Sequence, residues 1–370
     1  MRAGAAFRPV LAAAAVLPAL LAACQVPRIL LVGEELPELT PVVEHALASE
    51  SSVGHWTVQE DTVAVPANAT VVRLTTTPGW NLGPSHRATR AVPDSWDEGS
   101  AYRIAPSLER VVRARGSSWA SVPLLFDAWG QTRRKAGLQP GTKSGPAPDW
   151  PLLVSRSPSR SVAVAGSRPS FRQWALIAGA ADPAARVGAL PEWFAQGAQG
   201  WDAELGLLAG LKRAPVWAPD TWDFRDADVR QGFRADSRLV VLVTFRDYER
   251  SGWSGLRSFT PLAVSGPSGN VLGGPVVFAE LSGNAQAWTD AAPLLRLLAA
   301  PPFQRDAAAQ TQWLPANLEA PEIDDTGAAV RYLVRQARAF APLTDRLPQP
   351  LVEGSLLVQA QMVVDRAPRG

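Results

Sequence analysis

The stretch PRILLVGEELPELTPVVEHAL, Pro27 to Leu47, decides the fold class of this chain. Arg28 to Val32 is a short apolar run between a proline and a glycine, which is typical of a buried parallel strand. Apolar residues then recur from Leu39 to Leu47 at the spacing of one helical face. A strand, a loop and a helix in this order predict the start of an α/β domain.

The same alternation continues along the chain. Apolar runs predict strands at Thr70–Leu74, Leu239–Phe245, Phe259–Val264 and Val276–Leu281. Helical spacing predicts helices at Trp201–Leu211, Ala291–Ala299, Ala328–Ala341 and Leu351–Asp365. Strands that alternate with helices predict an α/β chain with mostly parallel sheets.

The segment before the first strand resembles a lipoprotein signal. Met1 to Pro9 carries two arginines and no acid, and Val10 to Leu21 is almost wholly apolar. That apolar run is shorter than the roughly 20 residues that a membrane-spanning helix needs. The following Leu-Ala-Ala-Cys looks like a bacterial lipobox, which predicts cleavage after residue 23 and a lipid, palmitate included, on Cys24. The alternative is a core cysteine behind an uncleaved anchor.

Composition excludes several classes of function. The net charge of +2 gives no indication of a polyanionic partner, so no nucleic acid is expected. Cys24 is the only cysteine, so the rest of the chain has neither disulfides nor thiolate metal sites. The sequence has no G-x-S-x-G motif and no phosphate-binding loop. We expect no enzyme, no cofactor and no metal, although His45, His55 and His86 leave a dispersed zinc site open.

Tryptophan is the unusual residue, with fourteen copies against three tyrosines. Indole faces stack on the C–H surfaces of sugar rings, while most indoles in any protein pack in cores. The tryptophans that lie near a glycine, a proline or a strand end are the candidates for a ligand cleft; they are Trp80, Trp129, Trp174 and Trp253.

Several segments, in order over residues 115 to 320, resemble the extracellular solute-binding proteins of ABC importers, in particular the family that includes maltose-binding protein. In SVPLLFDAWGQTRRKAGLQP, Pro123, Asp127 and Lys135 to Leu138 match the stretch where members first cross between lobes. FRQWALIAGA is similar to the segment that supplies an aromatic ligand contact, at the position of Phe171. GNVLGGPVVFAELSGN is similar to the glycine-bearing return segment.

This resemblance implies a type II periplasmic-binding-protein-like fold with two α/β lobes and a ligand cleft between them. It divides the chain into a signal peptide (1–23), an N-terminal lobe (24–122 and 258–300) and a C-terminal lobe (123–257 and 301–370). The implied function is capture of a small solute, a sugar or an oligosaccharide, for an ABC transporter permease. We expect a monomer, attached through its N-terminal lipid to the periplasmic or extracellular side of a membrane. The alternative is a degenerate binding-protein fold that acts as an envelope scaffold or sensor without transport.

The predicted ligand contacts combine the resemblance with the residues themselves. Phe171 and Trp253 are expected to sandwich a sugar ring, with Glu34 or Glu35 accepting hydrogen bonds from its hydroxyl groups. Asp127 is expected to point into the cleft from the first crossing between lobes, with a structural helix cap or turn as its alternative role. The predicted ligand-binding set is Glu34, Glu35, Trp80, Asp127, Phe171 and Trp253.

Overall fold

The computed structural model describes residues 26–77, 89–90, 102–112, 121–134, 147, 149–187, 201–223, 240–283, 287–322, 324–346 and 356–366. Within these ranges the chain forms two β-sheets with helices packed against them. No helix of the described residues is long and apolar enough to cross a lipid bilayer. Cys24 and Trp80 lie outside the described residues.

Short strands and short helices alternate along most of the chain. The strands are β1 Arg28–Val32, β2 Thr57–Glu60, β3 Thr70–Thr75, β4 Thr89–Arg90, β5 Val122–Phe126, β6 Trp129–Arg134, β7 Val162–Val164, β8 Val240–Thr244, β9 Arg257–Pro261, β10 Val271–Ser282, β11 Leu314–Pro315 and β12 Ala339–Leu343. The helices are α1 Thr40–Ser49, α2 Pro106–Val112, α3 Trp150–Arg156, α4 Pro169–Gly179, α5 Pro183–Val187, α6 Asp202–Arg213, α7 Phe245–Arg250, α8 Ala287–Ala299, α9 Pro301–Thr311, α10 Asp325–Gln336 and α11 Leu356–Arg366. Two 3₁₀ turns, Pro37–Leu39 and Ser51–Val53, flank α1.

The strands pair into a large sheet and a small one. In the large sheet the order is β11-β5-β10-β3-β1-β2, and β4 and β12 also pair with β10. In the small sheet the order is β7-β8-β6-β9. Two large hydrophobic clusters pack against these sheets. One joins the large sheet to one face of the small sheet, and the other, which is rich in tryptophan, packs on the opposite face of the small sheet. The chain is an α/β protein, as the pattern of strands and helices predicts, and it has two lobes, as the family resemblance implies.

The prediction of mostly parallel sheets is wrong, because each sheet contains an inner strand that is antiparallel to most of its neighbours. β1 is parallel to β2 and β3, β7 to β8, and β10 to β12. β6, however, is antiparallel to β8 and β9, and β10 is antiparallel to β3 and β5. Only Asp127 and Ala128 separate β5 from β6. β6 therefore begins close to the carboxyl end of β5, and in the small sheet it runs antiparallel to β8 and β9.

The chain first passes from one hydrophobic cluster to the other between β5 and β6, and it passes back along β10. Its first residues, Val271 to Pro275, pair with β12, and Val271 belongs to the tryptophan-rich cluster of the small sheet. The residues from Val276 onward pair with β5 and β3 and belong to the large cluster. The predicted lobe ranges stay a prediction, since the pairings establish only which sheet each segment joins.

The predicted helix at Ala328–Ala341 is wrong in its second half. Helix α10 ends at Gln336, and Ala339 to Leu343 form strand β12, which pairs with β10. A short apolar run does not reveal its own conformation, and here a tertiary partner decides it. Of the predicted helix at Leu351–Asp365, the described part is α11, Leu356–Arg366.

Candidate functional site

A cleft of about 340 Å³ lies where strands of both sheets end. Glu34 and Thr76 follow β1 and β3 of the large sheet, and Thr244 ends β8 of the small sheet. Ligands of open α/β sheets bind outside the carboxyl ends of the strands, because side chains from several strands converge there. The position of the cleft is therefore that of a ligand site.

Charged side chains dominate the lining of the cleft. Its carboxylates are Glu34, Glu35, Asp127, Asp247 and Asp345. Its guanidinium groups are Arg168, Arg246 and Arg346. The remaining lining residues are Thr76, Thr244, Pro275 and Trp313. A lining with one aromatic ring and many hydrogen-bonding groups suits a small polar solute.

Glu35 is held by a complete set of donors. Its Oε1 accepts hydrogen bonds from the backbone N–H of Thr76 at 2.9 Å and from the hydroxyls of Thr75 and Thr76 at 3.2 and 3.1 Å. Its Oε2 accepts from Nη1 of Arg346 at 3.0 Å. Glu34, by contrast, is exposed. Of this adjacent pair, Glu35 fixes the geometry of the cleft and Glu34 is open to solvent.

Asp127 lies at the base of the cleft, at the first crossing between the sheets. It is 2% exposed, and its Oδ1 accepts hydrogen bonds from the backbone N–H groups of Ala128 at 2.8 Å and Arg246 at 3.1 Å. Burial, with some repulsion from Asp247, raises the pKa of Asp127 to about 6. The side chain is thus a carboxyl group that titrates near neutral pH and faces the cleft.

Arg168 joins two carboxylates on the side of the small sheet. Pro169 begins α4, and its fixed φ angle suits the first helical position, so Arg168 stands just ahead of the helix. The guanidinium of Arg168 makes ion pairs with Asp247 and Asp345, and Nε donates to Oδ2 of Asp345 at 3.0 Å. Burial opposes ionisation of Asp345, but Arg168 outweighs it and lowers the pKa of that carboxyl.

Arg246 connects the small sheet to the large one. It lies in α7, directly after β8, and pairs with Glu38 in the turn after β1. Its guanidinium carbon lies 4.7 Å from the centroid of the Trp313 ring, and Trp313 Nε1 donates to Oε1 of Glu38 at 3.1 Å. The guanidinium of Arg246 thus contacts both the carboxylate of Glu38 and the ring of Trp313, and this group joins elements of the two sheets.

The structure brings three of the predicted ligand contacts together. Glu34, Glu35 and Asp127 all line the cleft. Their roles as ligand contacts stay a prediction. Trp80 lies outside the described residues, so its place in the fold is not described.

The prediction that Phe171 and Trp253 sandwich a sugar ring is wrong. Phe171 is 1% and Trp253 4% exposed, and they belong to different hydrophobic clusters, so they cannot enclose a ring between them. Trp129 and Trp174, the other described cleft candidates among the tryptophans, are each 1% exposed and pack in the small-sheet cluster. Phe171 and Trp174 are buried because α4 is enclosed on every side from Ser170 to Ile177, while Trp129 is buried in β6 and Trp253 in the larger cluster.

Sequence reasoning missed the arginines and their partners. The overlooked lining residues are Arg168, Arg246, Asp247, Trp313, Asp345 and Arg346. A signal was present, because Arg246 and Asp247 directly follow the apolar run of β8, and Asp345 follows β12. Polar residues just after a buried strand lie at the carboxyl edge of the sheet, where ligands bind.

No group of three histidine, cysteine or acidic side chains is arranged to hold a metal ion in the part of the chain that the structure describes. His45 and His55 are exposed, and His86 lies outside the described residues. Three carboxylates of the cleft, those of Glu35, Asp127 and Asp345, are instead engaged by arginines, threonine hydroxyls and backbone N–H groups. The donor set fits an organic solute better than a metal ion.

Asp127→Asn is expected to stabilise the protein above about pH 6. The folded-state pKa of Asp127 lies above the ordinary aspartate value of 3.8, so the stability contributed by protonated Asp127 is present below about pH 4 and is lost as the pH rises through about 6. The full difference corresponds to about 3 kcal/mol. Urea unfolding of both proteins over this pH range measures it. A stability difference that does not change with pH would contradict the burial of an ionisable group here.

No protein-family model matches the chain, and no curated protein matches it. Solved structures do. The bacterial solute receptor AcbH, described as having an exclusive preference for β-D-galactopyranose, superposes with a TM-score of 0.65 at 11% identity, over 92% of this chain and 94% of that one. A family 1 extracellular solute-binding protein from Bifidobacterium longum subsp. infantis has a TM-score of 0.57 at 12% identity, over 93% and 96%.

An enzyme also has this fold. Clostridium botulinum thiaminase I in complex with thiamin matches with a TM-score of 0.63 at 9% identity, over 91% of this chain and 98% of that one. Identities this low show the fold alone. The chain has the two-lobed fold of the extracellular solute-binding proteins, and the cleft lies between its lobes.

Proposed function

We propose that this protein captures a small polar solute in the cleft between its lobes and delivers it to the permease of an ABC transporter. The observation that carries the proposal is the convergence of polar side chains from both sheets on one cleft, at the carboxyl ends of their strands. A solute that contacts both lobes favours the closed arrangement over the open one. Binding energy thereby becomes a population shift that a permease can recognise.

We propose a sugar or oligosaccharide as the solute. Carboxylates such as Glu34 and Asp127 accept hydrogen bonds from hydroxyl groups, and the polar lining of the same cleft matches the many hydroxyl groups of a sugar. The sugar-binding receptor AcbH supports this choice through its fold. Thiaminase I shows that the fold also supports catalysis, but the two hydroxyl groups in the cleft already have carboxylate partners: Thr76 bonds to Glu35 and Thr244 to Asp247. We therefore propose binding without covalent chemistry.

We propose that a lipid on Cys24 holds the protein to a membrane. Cys24 shortly precedes Arg28, where β1 begins, and the cleft lies at the opposite end of that strand. The mature protein would act as a monomer on the periplasmic or extracellular side of the membrane.

Cys24→Ser is expected to abolish lipid attachment, because a serine hydroxyl cannot form the thioether to the lipid. Labelling with radioactive palmitate, followed by fractionation, should find no label in the variant and the protein as precursor or in the soluble fraction. Val26→Ala, two residues away, serves as the control and should keep its label. Equal label in the Cys24 variant would contradict the lipid anchor.

A thermal-shift panel tests solute capture. The panel contains mono- and oligosaccharides, D-galactose among them, and thiamin. A ligand at 100 times its dissociation constant stabilises the folded protein by about 2.7 kcal/mol. Glu34→Ala should weaken the response to a sugar by about 1–3 kcal/mol, because it removes an exposed hydrogen-bond acceptor from the cleft, whereas Glu44→Ala, at an exposed carboxylate outside the cleft lining, should leave it intact. No response to any compound would favour the scaffold or sensor function.

A further inference from the structure

The cleft contains more negative than positive side chains, and its positive ones are already paired. Arg168 is bound by Asp247 and Asp345, Arg346 by Glu35, and Arg246 by Glu38. Among the described residues, no lysine or arginine nitrogen lies within 4.0 Å of the carboxylate of Asp127 or Glu34. The excess negative charge of the cleft is therefore carried by Asp127 and Glu34, whose carboxylates are not neutralised by an ion pair among the described residues.

Every arginine among the described lining residues is already paired with a carboxylate, so an anionic solute meets no unpaired one. A carboxylate or phosphate would have to displace a carboxylate that each arginine already holds, and it would meet the charge of Asp127 at the base. Breaking a partly buried pair leaves an uncompensated charge, which is strongly unfavourable. Juxtaposing like charges is unfavourable as well. The lining thus selects against anions.

Beside the cleft, the chain holds one of its own cationic groups between an aromatic ring and a carboxylate. The guanidinium of Arg246 lies over the Trp313 ring, 4.7 Å from its centroid, with Glu38 as its carboxylate partner. An aromatic face combined with a carboxylate is a favourable environment for ammonium and guanidinium groups. Asp127 is a carboxylate of the cleft itself: it is 2% exposed, Arg246 attracts it, and no lysine or arginine nitrogen of the described residues lies within 4.0 Å of it.

Resting on the proposed function, we propose that the solute carries a positive charge, as a protonated amine or a quaternary ammonium group, and that this group binds beside Asp127. The rest of the solute is polar and hydroxyl-bearing, as in an amino sugar. A charge-assisted hydrogen bond or ion pair to a desolvated carboxylate is about twice as strong as a neutral hydrogen bond. Asp127 is then the residue that sets charge selectivity, and Glu35 and the arginines shape the cleft around it.

This assignment predicts a pH dependence of binding. Burial raises the pKa of Asp127 to about 6, and a ligand cation would favour its ionised form. Asp247 and Arg246 face it from α7, while Glu34, Glu35, Arg168, Asp345 and Arg346 line the same cleft. Affinity for a cationic solute should fall as the pH decreases below about 6, because Asp127 becomes neutral.

Matched pairs of compounds test the inference on the full chain, purified in detergent. The pairs are glucosamine with glucose, and choline with its uncharged analogue 3,3-dimethylbutan-1-ol. Calorimetry near neutral pH should find the charged member bound at least about tenfold more tightly. Asp127→Asn should remove this preference. Glu44→Gln, at an exposed carboxylate on α1 outside the cleft lining, should keep it.

The outcomes separate this inference from the proposed function. Three results would overturn the proposal of a cationic solute and leave solute capture standing. They are equal or tighter binding of the uncharged members, binding of another sugar but of neither charged compound, and an unchanged preference in Asp127→Asn. No binding by any compound of these pairs or of the sugar panel would overturn both. The preference in the unsubstituted protein decides the question even where the Asp127 variant fails to fold.

Discussion

Phe171→Ala is expected to lower the free energy of unfolding by about 3–5 kcal/mol, with no ligand present. Phe171 is 1% exposed and lies at the centre of the tryptophan-rich cluster. Four indole rings surround it at centroid distances of 5.5 to 6.3 Å, those of Trp129, Trp150, Trp217 and Trp222. Removing the ring leaves a cavity that rigid indoles cannot fill by small movements.

Urea unfolding of the ligand-free protein measures this loss. Tyr332→Ala is the matched control, because it also removes an aromatic ring, but from a residue that is 52% exposed on α10. The control should change the free energy of unfolding by no more than about 0.5 kcal/mol. If Phe171→Ala kept the stability of the unsubstituted protein and lost only ligand affinity, Phe171 would be a cleft residue, as the family resemblance implies.

Local patterns were sufficient for the buried strands. The prediction from Arg28 to Val32 matches β1 residue for residue, and the run Leu239–Phe245 contains β8. These strands are buried and short, and turn residues or polar residues bound them, so their sequence reflects their environment directly. The predicted helix Ala328–Ala341 includes the start of β12, because the alanines of β12 favour a helix. Hydrogen bonding to β10 is what holds this segment in an extended conformation.

The cleft was only partly predictable for a related reason. The family resemblance predicts that Asp127 lies at a crossing between lobes. The arginines that line the same cleft come from segments far apart in the chain, and no local pattern predicts them. Arg168 and Asp345 are separated by 177 positions, and only the folded sheets bring them to one edge. The aromatic residues misled because tryptophan next to a glycine or a strand end occurs in cores as well as in clefts. Trp129 and Trp174 show this.

The two crossings between lobes contact each other, and this contact fixes Asp127. The backbone N–H of Asp127 donates a hydrogen bond to the carbonyl of Pro275 at 2.8 Å. Gly274 precedes that proline in β10, and a Cβ atom built on it would lie 2.2 Å from the Asp127 carbonyl oxygen and 2.9 Å from Cα of Ala128. Both neighbours are backbone atoms, so no rotamer change can relieve the overlap. The position requires glycine because two strands approach there, not because of its φ angle.

Gly274→Ala is accordingly expected to destabilise the protein by about 3 kcal/mol or more, at the upper end of overpacking effects. Gly206→Ala is the control: it lies within α6, where an added Cβ meets nothing within 4 Å. That substitution should raise stability by about 0.5–1 kcal/mol, because alanine loses less conformational entropy in a helix. Urea unfolding measures both, and a Gly274 variant too unstable to purify would agree with the expectation if the Gly206 variant is soluble. Unchanged stability in Gly274→Ala would mean that the crossings are not in contact, and that Asp127 is not held at the base of the cleft by them.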